Sequence, residues 1–192
     1  MIAEIGHFAL VLALMTSLVQ SSLPLVGAQR QDRSLMRVAN FAAMTSFVLV
    51  AIAFAALATS FMMDDFSVRL VADNSQTAKP LIYKFTGVWA NHEGSMLLWV
   101  FILVIFAGLI AAFGTNIPQA LKARVLAVQG MIASAFLAFV IFTSNPFIRL
   151  SPAPAEGSGM NPLLQDPGLA IHPPCLYMGY VGFSVAFAFA VA

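Results

Sequence analysis

Five apolar stretches of the chain, each long enough to cross a membrane, limit what the chain can fold into. A helix needs about 20 apolar residues to cross the hydrocarbon core of a bilayer. Such stretches occupy residues 2–26, 39–62, 95–114, 122–143 and 174–192. The composition agrees, because 60% of the residues are hydrophobic and only 9% are charged. The sequence of residues 1–192 therefore predicts an all-α polytopic membrane helix bundle with about five transmembrane helices.

Basic residues in the short loops predict the orientation of this bundle. Short loops that carry Lys and Arg are retained on the cytoplasmic side of a membrane. The basic residues of the two short loops are Arg30, Arg33, Arg37, Lys122 and Arg124. The other two loops, about 63–94 and 144–173, are longer and carry similar numbers of acidic and basic residues. We therefore expect these two loops and the N-terminus on the outer side.

Charge and motif content exclude several classes of function. The net charge is +1 and the basic residues are scattered, which excludes a nucleic-acid partner. Cys175 is the single cysteine, so the chain contains neither a disulfide nor a cysteine pair for a metal. The sequence has no Gly-rich phosphate loop and no Ser/His/Asp arrangement. No charged residue lies at the middle of a predicted span, which disfavours a transporter.

The stretch IHPPCLYMGYVG, residues 171–182, contains the most informative candidate residue. Proline suits the first turn of a helix, so Pro173 and Pro174 predict a helix start. A residue before proline is restricted in its backbone conformation, and His172 therefore carries its imidazole on a stiffened stem at the membrane surface. Such an imidazole can be a ligand, or it can satisfy backbone groups at the helix start. The residues alone leave both interpretations open.

The end of the first long loop, YKFTGVWANHEGSMLLW, predicts the start of the third span. Asn91 is a good N-cap, and Glu93 suits the positive end of the helix that follows. His92 is not explained by capping. A single histidine at a membrane interface is more often a packing or hydrogen-bonding residue than a metal ligand, and we expect the same of His92.

The second long loop divides into two parts. Residues 153–159 are small and polar, which predicts a flexible tip. The following segment NPLLQDPGLAIHPP alternates turn formers with apolar residues, and we expect it to be ordered and to place His172 on the outer surface. The chain ends inside an apolar run, AFAFAVA, and we interpret it as the front part of a longer protein.

Two motifs carry a resemblance to a known family. GVWANHEGSMLLW and SNPF…NPLLQDPGLAIHPPCLYMGYVGF resemble segments of CcmF, the cytochrome c biogenesis family also called the haem lyase subunit. The opening IGHFAL is also similar, and the resemblance to the paralogue in nitrite reductase assembly is less close. Ala90 stands where the family commonly has Gly, and Cys175 where Leu is usual. Neither position is a proposed ligand.

The resemblance implies a function in cytochrome c maturation. It implies a multi-pass protein of the bacterial inner membrane, with its N-terminus and functional loops on the periplasmic side. The full-length protein would take haem from the haem chaperone CcmE. It would then act as a haem lyase, or holocytochrome c synthetase, on the Cys-x-x-Cys-His motif of apocytochrome c. The thiol-reducing partner CcmH/CcmI would present that apocytochrome.

The resemblance also implies site residues. By residue-for-residue matching, His172 is the candidate axial ligand of the transferred haem b, and it is the metal ligand that the chain would supply. Pro173, Pro174 and Tyr177 are expected to support it, and His92 and Glu93 are further candidates for contact with the cofactor. The WWD segment, the second outer histidine and the ligands of a second membrane haem lie downstream in the family. We therefore expect this chain alone to be inactive and to contain no catalytic residue beyond those that position haem.

Two other classes remain as alternatives to the enzyme. In the first, the chain is a non-catalytic membrane scaffold of the same assembly complex, and another subunit holds the haem. In the second, it transports haem or a small solute, which the absence of charge at the middle of the spans disfavours.

Overall fold

The computed structural model describes residues 1–192 except Leu169, and it is helical in every long element. The helices are α1 (Ile2–Arg30), α2 (Arg33–Met62), α3 (Arg69–Asn74), α4 (Leu81–Thr86), α5 (His92–Phe113), α6 (Gln119–Phe142) and α7 (Pro167–Val191), with a short 3₁₀ turn at Pro162–Leu164. Five of them, α1, α2, α5, α6 and α7, are long and apolar enough to cross a membrane. The predicted five-span bundle is confirmed.

The first two spans extend further than their apolar stretches. Asp32 caps α2, because its Oδ1 accepts hydrogen bonds from the backbone N–H of Ser34 at 2.8 Å and of Leu35 at 3.3 Å. An aspartate at this position satisfies N–H groups that have no partner inside the helix. The helix therefore begins at Arg33, whereas hydropathy places the start near residue 39. Hydropathy marks the part of a helix that suits lipid, and not the capped polar turns beyond it.

Polar side chains join the helices inside the bundle. Gln20 of α1 is buried and donates from Nε2 to the carbonyl of Leu126 on α6, at 2.8 Å. Ser134 of α6 donates to Ser17 of α1, with 2.9 Å between the two hydroxyl oxygens. Helix association in lipid depends on such hydrogen bonds and on close packing, because no hydrophobic effect draws the helices together. These contacts fix α1 against α6.

Two long loops cover one end of the bundle and are joined to each other. We call residues 63–91 the first long loop and residues 143–166 the second long loop. Val68 and Arg149 form an antiparallel bridge between them. The Arg149 guanidinium also pairs with Asp65 at 3.0 Å and with Glu4 at 2.7 Å. The two loops and the start of α1 therefore form one connected layer.

The segment expected to be a flexible tip, residues 153–159, makes specific contacts within this layer. The Glu156 carboxylate accepts hydrogen bonds from the backbone N–H of Thr77 at 2.9 Å and from its hydroxyl at 2.6 Å. The N–H of Ser158 donates to the carbonyl of Ala72 at 2.7 Å. The small and polar residues of this segment thus allow it to pack closely against the first long loop.

The last helix begins earlier than the sequence predicts. The Oδ1 of Asp166 accepts a hydrogen bond from the N–H of Gly168 at 2.8 Å, and Pro167 is the first residue of α7. A capping aspartate followed by proline is a favourable helix start. The predicted start at Pro173 and Pro174 is therefore wrong, and both prolines lie inside the helix.

Candidate functional site

His172 lies on the exposed side of α7, in its second turn, and not at the mouth of the helix. Its side chain makes no hydrogen bond to any residue that the structure describes. The interpretation in which the imidazole satisfies backbone groups at the helix start is therefore not supported by its contacts. The imidazole is available to a ligand outside the chain.

Pro173 and Pro174 change the hydrogen bonding of the turn that carries His172. In an α-helix the N–H of each residue donates to the carbonyl four residues earlier. Pro174 has no N–H, so the carbonyl of Ala170 lacks its helical donor. The indole of Trp89 takes this place, and its Nε1 lies 2.9 Å from the Ala170 oxygen. The end of the first long loop is thereby attached to α7.

Two cavities lie on either side of this attachment. The first has a volume of about 400 Å³ and is lined by polar and apolar groups of the α5 start and α7; we call it the polar cavity because its lining is more polar than that of the second. Its lining includes Thr86, Asn91, His92, Pro173 and Tyr177. The second is about 330 Å³, apolar, and lined by residues that include Ile82, Phe85, Ile171, Pro174 and Cys175. Trp89 contributes to both cavities, and His172 lines neither of them.

Three of the predicted supporting residues are therefore brought together around the turn of His172. Pro173 and Tyr177 line the polar cavity, and Pro174 lines the apolar one. The Tyr177 ring also packs against the Trp99 ring of α5, with 5.2 Å between their centroids. Their role in binding a cofactor stays a prediction.

His92 has the contacts of a packing and hydrogen-bonding residue. Its Nε2 lies 3.1 Å from the Ser144 hydroxyl of the second long loop. Its ring meets the edge of the Phe139 ring at 6.3 Å between centroids. His92 also lines the polar cavity, so a contact with a cofactor stays a prediction.

Asn91 caps α5 as the sequence predicts. Its Oδ1 accepts from the N–H of Gly94 at 2.7 Å, and its Nδ2 donates to the carbonyl of Gly87 at 2.8 Å. The carboxylate of Glu93 lies in the first turn of α5 and 3.8 Å from the Arg69 guanidinium. Gly94 lies so close to the backbone that a Cβ there would be 1.5 Å from the Val88 oxygen. These contacts hold the α5 start against the first long loop.

Two buried lysines, Lys79 and Lys84, belong to the first long loop, and the sequence did not predict their burial. Lys84 pairs with Asp64, and the Lys79 ammonium donates to the carbonyl of Asn74 at 2.9 Å. Lys79 also lies over the ring of Phe61, 6.0 Å from its centroid. The pKa of Lys79 is lowered to about 8, chiefly by burial and also by the Lys84 charge, against the opposing effect of Asp64.

The only sequence signal for this pair is the pattern of α4. Its apolar residues Leu81, Ile82 and Phe85 are exposed, while Lys84 is turned inward. Lysine is seldom buried, so a reader of the sequence alone would place Lys84 in solvent.

Metal donors are not clustered in threes among the described residues. Within the part of the chain that the structure describes, no three His, Cys, Asp or Glu side chains are close enough to hold a metal ion. An exposed imidazole that makes no hydrogen bond to a described residue, as in His172, could occupy one axial position of a haem iron, because such an iron can take its ligands from separate segments. The role of His172 as a haem ligand stays a prediction.

Comparisons with known proteins agree with these features. The chain is 64% identical over 192 residues to the cytochrome c-type biogenesis protein ccl1 of Rhodobacter capsulatus, which it matches over 100% of its own length and 29% of that protein. It is 58% identical over 193 residues to the cytochrome c-type biogenesis protein CcmF of Pseudomonas aeruginosa, with 100% and 29% covered. For CcmF of Escherichia coli the identity is 50% over 193 residues, with 100% and 30% covered.

A solved structure is also similar, and a family model matches the second half of the chain. The structure is titled Cytochrome c Heme Lyase CcmF, and it matches with a TM-score of 0.87 and 29% identity over 100% of this chain and 30% of that one. The chain spans about 30% of the length of these relatives. Residues 89–192 match the family described as Cytochrome C assembly protein. Because this match covers more than half of the chain and includes Trp89, the α5 start and His172, the chain belongs to the cytochrome c assembly protein family.

Proposed function

We propose that the full-length protein of which this chain is a part matures cytochromes c. It would receive haem from a chaperone of the CcmE type at the periplasmic face of the bacterial inner membrane. It would then promote covalent attachment of that haem to apocytochrome c, which a CcmH/CcmI-type partner presents. The names of the relatives, cytochrome c-type biogenesis protein and cytochrome c heme lyase, support this proposal.

One observation carries the role of this chain. His172 is exposed, makes no hydrogen bond to a described residue, and lies on a turn stiffened by two prolines. The cavities beside it offer one polar and one apolar surface to a bound molecule. His172 would therefore supply one axial ligand of the transferred haem b, and the other ligand would come from outside this chain. Imidazole is a common axial ligand of haem iron.

The chain would contribute by orienting the haem. A cysteine thiol of the Cys-x-x-Cys-His motif adds its S–H across a vinyl group, so each thioether forms without a leaving group or an oxidant. Such an addition needs the sulfur and the vinyl carbon to be held close together. His172 would fix the plane of the haem, and the two long loops would keep its vinyl edge accessible from the periplasm. A second membrane haem, as implied by the resemblance, would need ligands from the rest of the full-length protein.

The scaffold function remains as a second candidate. Its supporting observation is that the described residues contain no cluster of three metal donors, and that the imidazoles of His92 and His172 are exposed only singly. In that case α7 and the long loops would dock partner proteins, and haem would be held elsewhere in the assembly.

Replacement of His172 separates the two functions. We expect His172→Ala in the full-length protein to accumulate normally, because an exposed imidazole contributes little packing. Cytochrome c should fail to mature, and the Soret band of the purified protein should change. Imidazole in the millimolar range should restore part of the maturation, because ligand occupancy follows mass action. His7→Ala is the matched control, because that imidazole contacts Asn145 at 3.0 Å and lines neither cavity, and it should mature cytochrome c.

Two results would contradict the proposal. Normal maturation by His172→Ala would favour the scaffold. Loss of the variant from the membrane would make His172 a residue needed for folding.

A further inference from the structure

The two prolines of α7 create a specific deficit in the helix. The carbonyl of Ala170 would normally accept from the N–H of residue 174, which is proline. Ala170 is buried, with 8% of its surface exposed, so water cannot easily take the place of that donor. A buried carbonyl without a partner costs free energy, and nearly all such groups in proteins are paired. A helix with Pro174 at this place therefore needs a donor from another segment.

Trp89 provides that donor from a fixed position. Its Nε1 lies 2.9 Å from the Ala170 oxygen, across 81 residues of sequence. The Trp89 ring meets the edge of the Phe85 ring at 5.2 Å between centroids and an interplanar angle of 89°. Its backbone carbonyl accepts a hydrogen bond from the Ser95 hydroxyl at 2.6 Å. Phe85 thus contacts the indole ring, and Ser95 holds the backbone that carries it.

We propose that Trp89 is a positioning residue for His172. Its indole N–H replaces the backbone N–H that Pro174 lacks, and so fixes the turn of α7 in which His172 lies. The replacement costs the indole little freedom, because Phe85 and Ser95 already hold its segment. The consequence for haem rests on the proposed function of His172, whereas the consequence for the helix does not.

Trp99 offers a matched control on the same face of α7. Its ring packs against Tyr177 at 5.2 Å and against Phe136 at 5.9 Å between centroids. Its indole makes no hydrogen bond to the residues described by the structure. Trp89→Phe and Trp99→Phe therefore make the same chemical change, and only the first removes a hydrogen bond to α7.

The test measures amide hydrogen exchange of residues 171–178 in the full-length protein in lipid nanodiscs, without haem. A buried acceptor left unpaired destabilises its surroundings enough to change an opening equilibrium about tenfold. We expect Trp89→Phe to speed exchange in this segment about tenfold and Trp99→Phe to leave it within about twofold. Pro174→Ala restores the missing N–H, so adding Trp89→Phe to Pro174→Ala should have little further effect.

Each outcome decides the proposal. Wild-type exchange in Trp89→Phe would overturn it. Equal acceleration by Trp89→Phe with and without Pro174→Ala would also overturn it, because the indole would then act through packing. If Trp89→Phe does not accumulate, recovery of the protein by Pro174→Ala supports the proposal and continued loss refutes it.

Absorption spectra recorded with haem bound separate this proposal from the proposed function. With haem bound, Trp89→Phe should shift the Soret band in the same direction as His172→Ala, and Pro174→Ala should reverse that shift. If the exchange results hold but His172→Ala leaves the spectrum unchanged, Trp89 still fixes the helix and the ligand role of His172 fails.

Discussion

Gly94 and Gly108 lie on the same helix, and the structure predicts opposite effects when each is changed to alanine. A Cβ at Gly94 would lie 1.5 Å from the Val88 oxygen and 2.8 Å from its carbonyl carbon. These are backbone atoms, so no side-chain rotation can make space. The two segments would have to separate by about 2 Å to reach the 3.5–4.0 Å of a favourable contact. A Cβ at Gly108 would lie 3.6 Å from the Phe47 side chain, which is an ordinary contact.

The magnitudes follow from three effects. Overpacking of this kind costs about 1–3 kcal/mol. Moving Gly94 also breaks the cap that Asn91 provides, which is worth about 1 kcal/mol. Alanine stabilises a helix by about 0.5–1 kcal/mol relative to glycine. Gly94→Ala should therefore destabilise the protein by about 1–3 kcal/mol, while Gly108→Ala should stabilise it by up to about 1 kcal/mol.

Each full-length variant is unfolded by heating in detergent. The midpoint of unfolding is measured by far-ultraviolet circular dichroism. Gly94→Ala should melt below the wild type, and Gly108→Ala at the same temperature or above it. A midpoint for Gly94→Ala equal to that of the wild type would refute the close approach of Val88. Equal losses in both variants would show that α5 tolerates no added methyl group, and would remove Val88 from the explanation.

Three further predictions concern the ends and loops of the bundle. Asn91→Ala should lower the melting midpoint through loss of about 1 kcal/mol of capping, whereas Asn91→Asp should retain most of it, and equal losses would reject the cap. The hydrogen bonds from Thr77 lower the pKa of Glu156, so their contribution is complete above the ordinary carboxyl pKa and is lost as the pH falls through the lowered value. Acid should therefore lower the amide protection factors of residues 153–159, taken relative to intrinsic exchange at each pH, and Thr77→Val should weaken that dependence because it removes the hydroxyl donor and keeps the backbone N–H; an unchanged pH response in Thr77→Val would contradict the hydroxyl contact. Finally, with the exposed Cys175 replaced by alanine, a membrane-impermeant thiol reagent should label Arg33→Cys only from the cytoplasm and Ser158→Cys only from the periplasm, and the reverse pattern would reject the orientation.

The spans and the α5 cap could be predicted from sequence because both depend on neighbouring residues. Apolar length is sufficient to identify five spans, and Asn91 is an N-cap whose acceptor binds an N–H three residues later. The start of α7 was predicted incorrectly because two segments, one at Pro167 and one at Pro173, both suit a helix start. The choice depends on whether α7 can tolerate Pro174 inside it, and the compensating donor lies 81 residues away on Trp89.

The loop layer and the buried lysines could not be predicted for a similar reason. Arg149 lies 84 residues from Asp65, and Glu156 lies 79 residues from Thr77. No local pattern predicts such a pairing. The sequence could identify His172 as a candidate residue from its type and its neighbouring prolines, but its place in the second turn of α7 depends on the helix start at Pro167. The position of the cavities beside it depends on how α5 meets α7.

The bridge between the two long loops constrains the order in which the chain can fold as it leaves the ribosome. The N–H of Arg69 donates to the carbonyl of Ile148, and the carbonyl of Ser67 accepts from the N–H of Leu150. Synthesis proceeds from the N-terminus, so these groups of the first long loop emerge well before their partners. During that interval α5 and α6 must be made and inserted, and the loop must stay hydrated and open. We expect the first long loop to be a substrate for periplasmic proteases in nascent chains that stop before residue 148, and to become protected once residue 159 has been translocated.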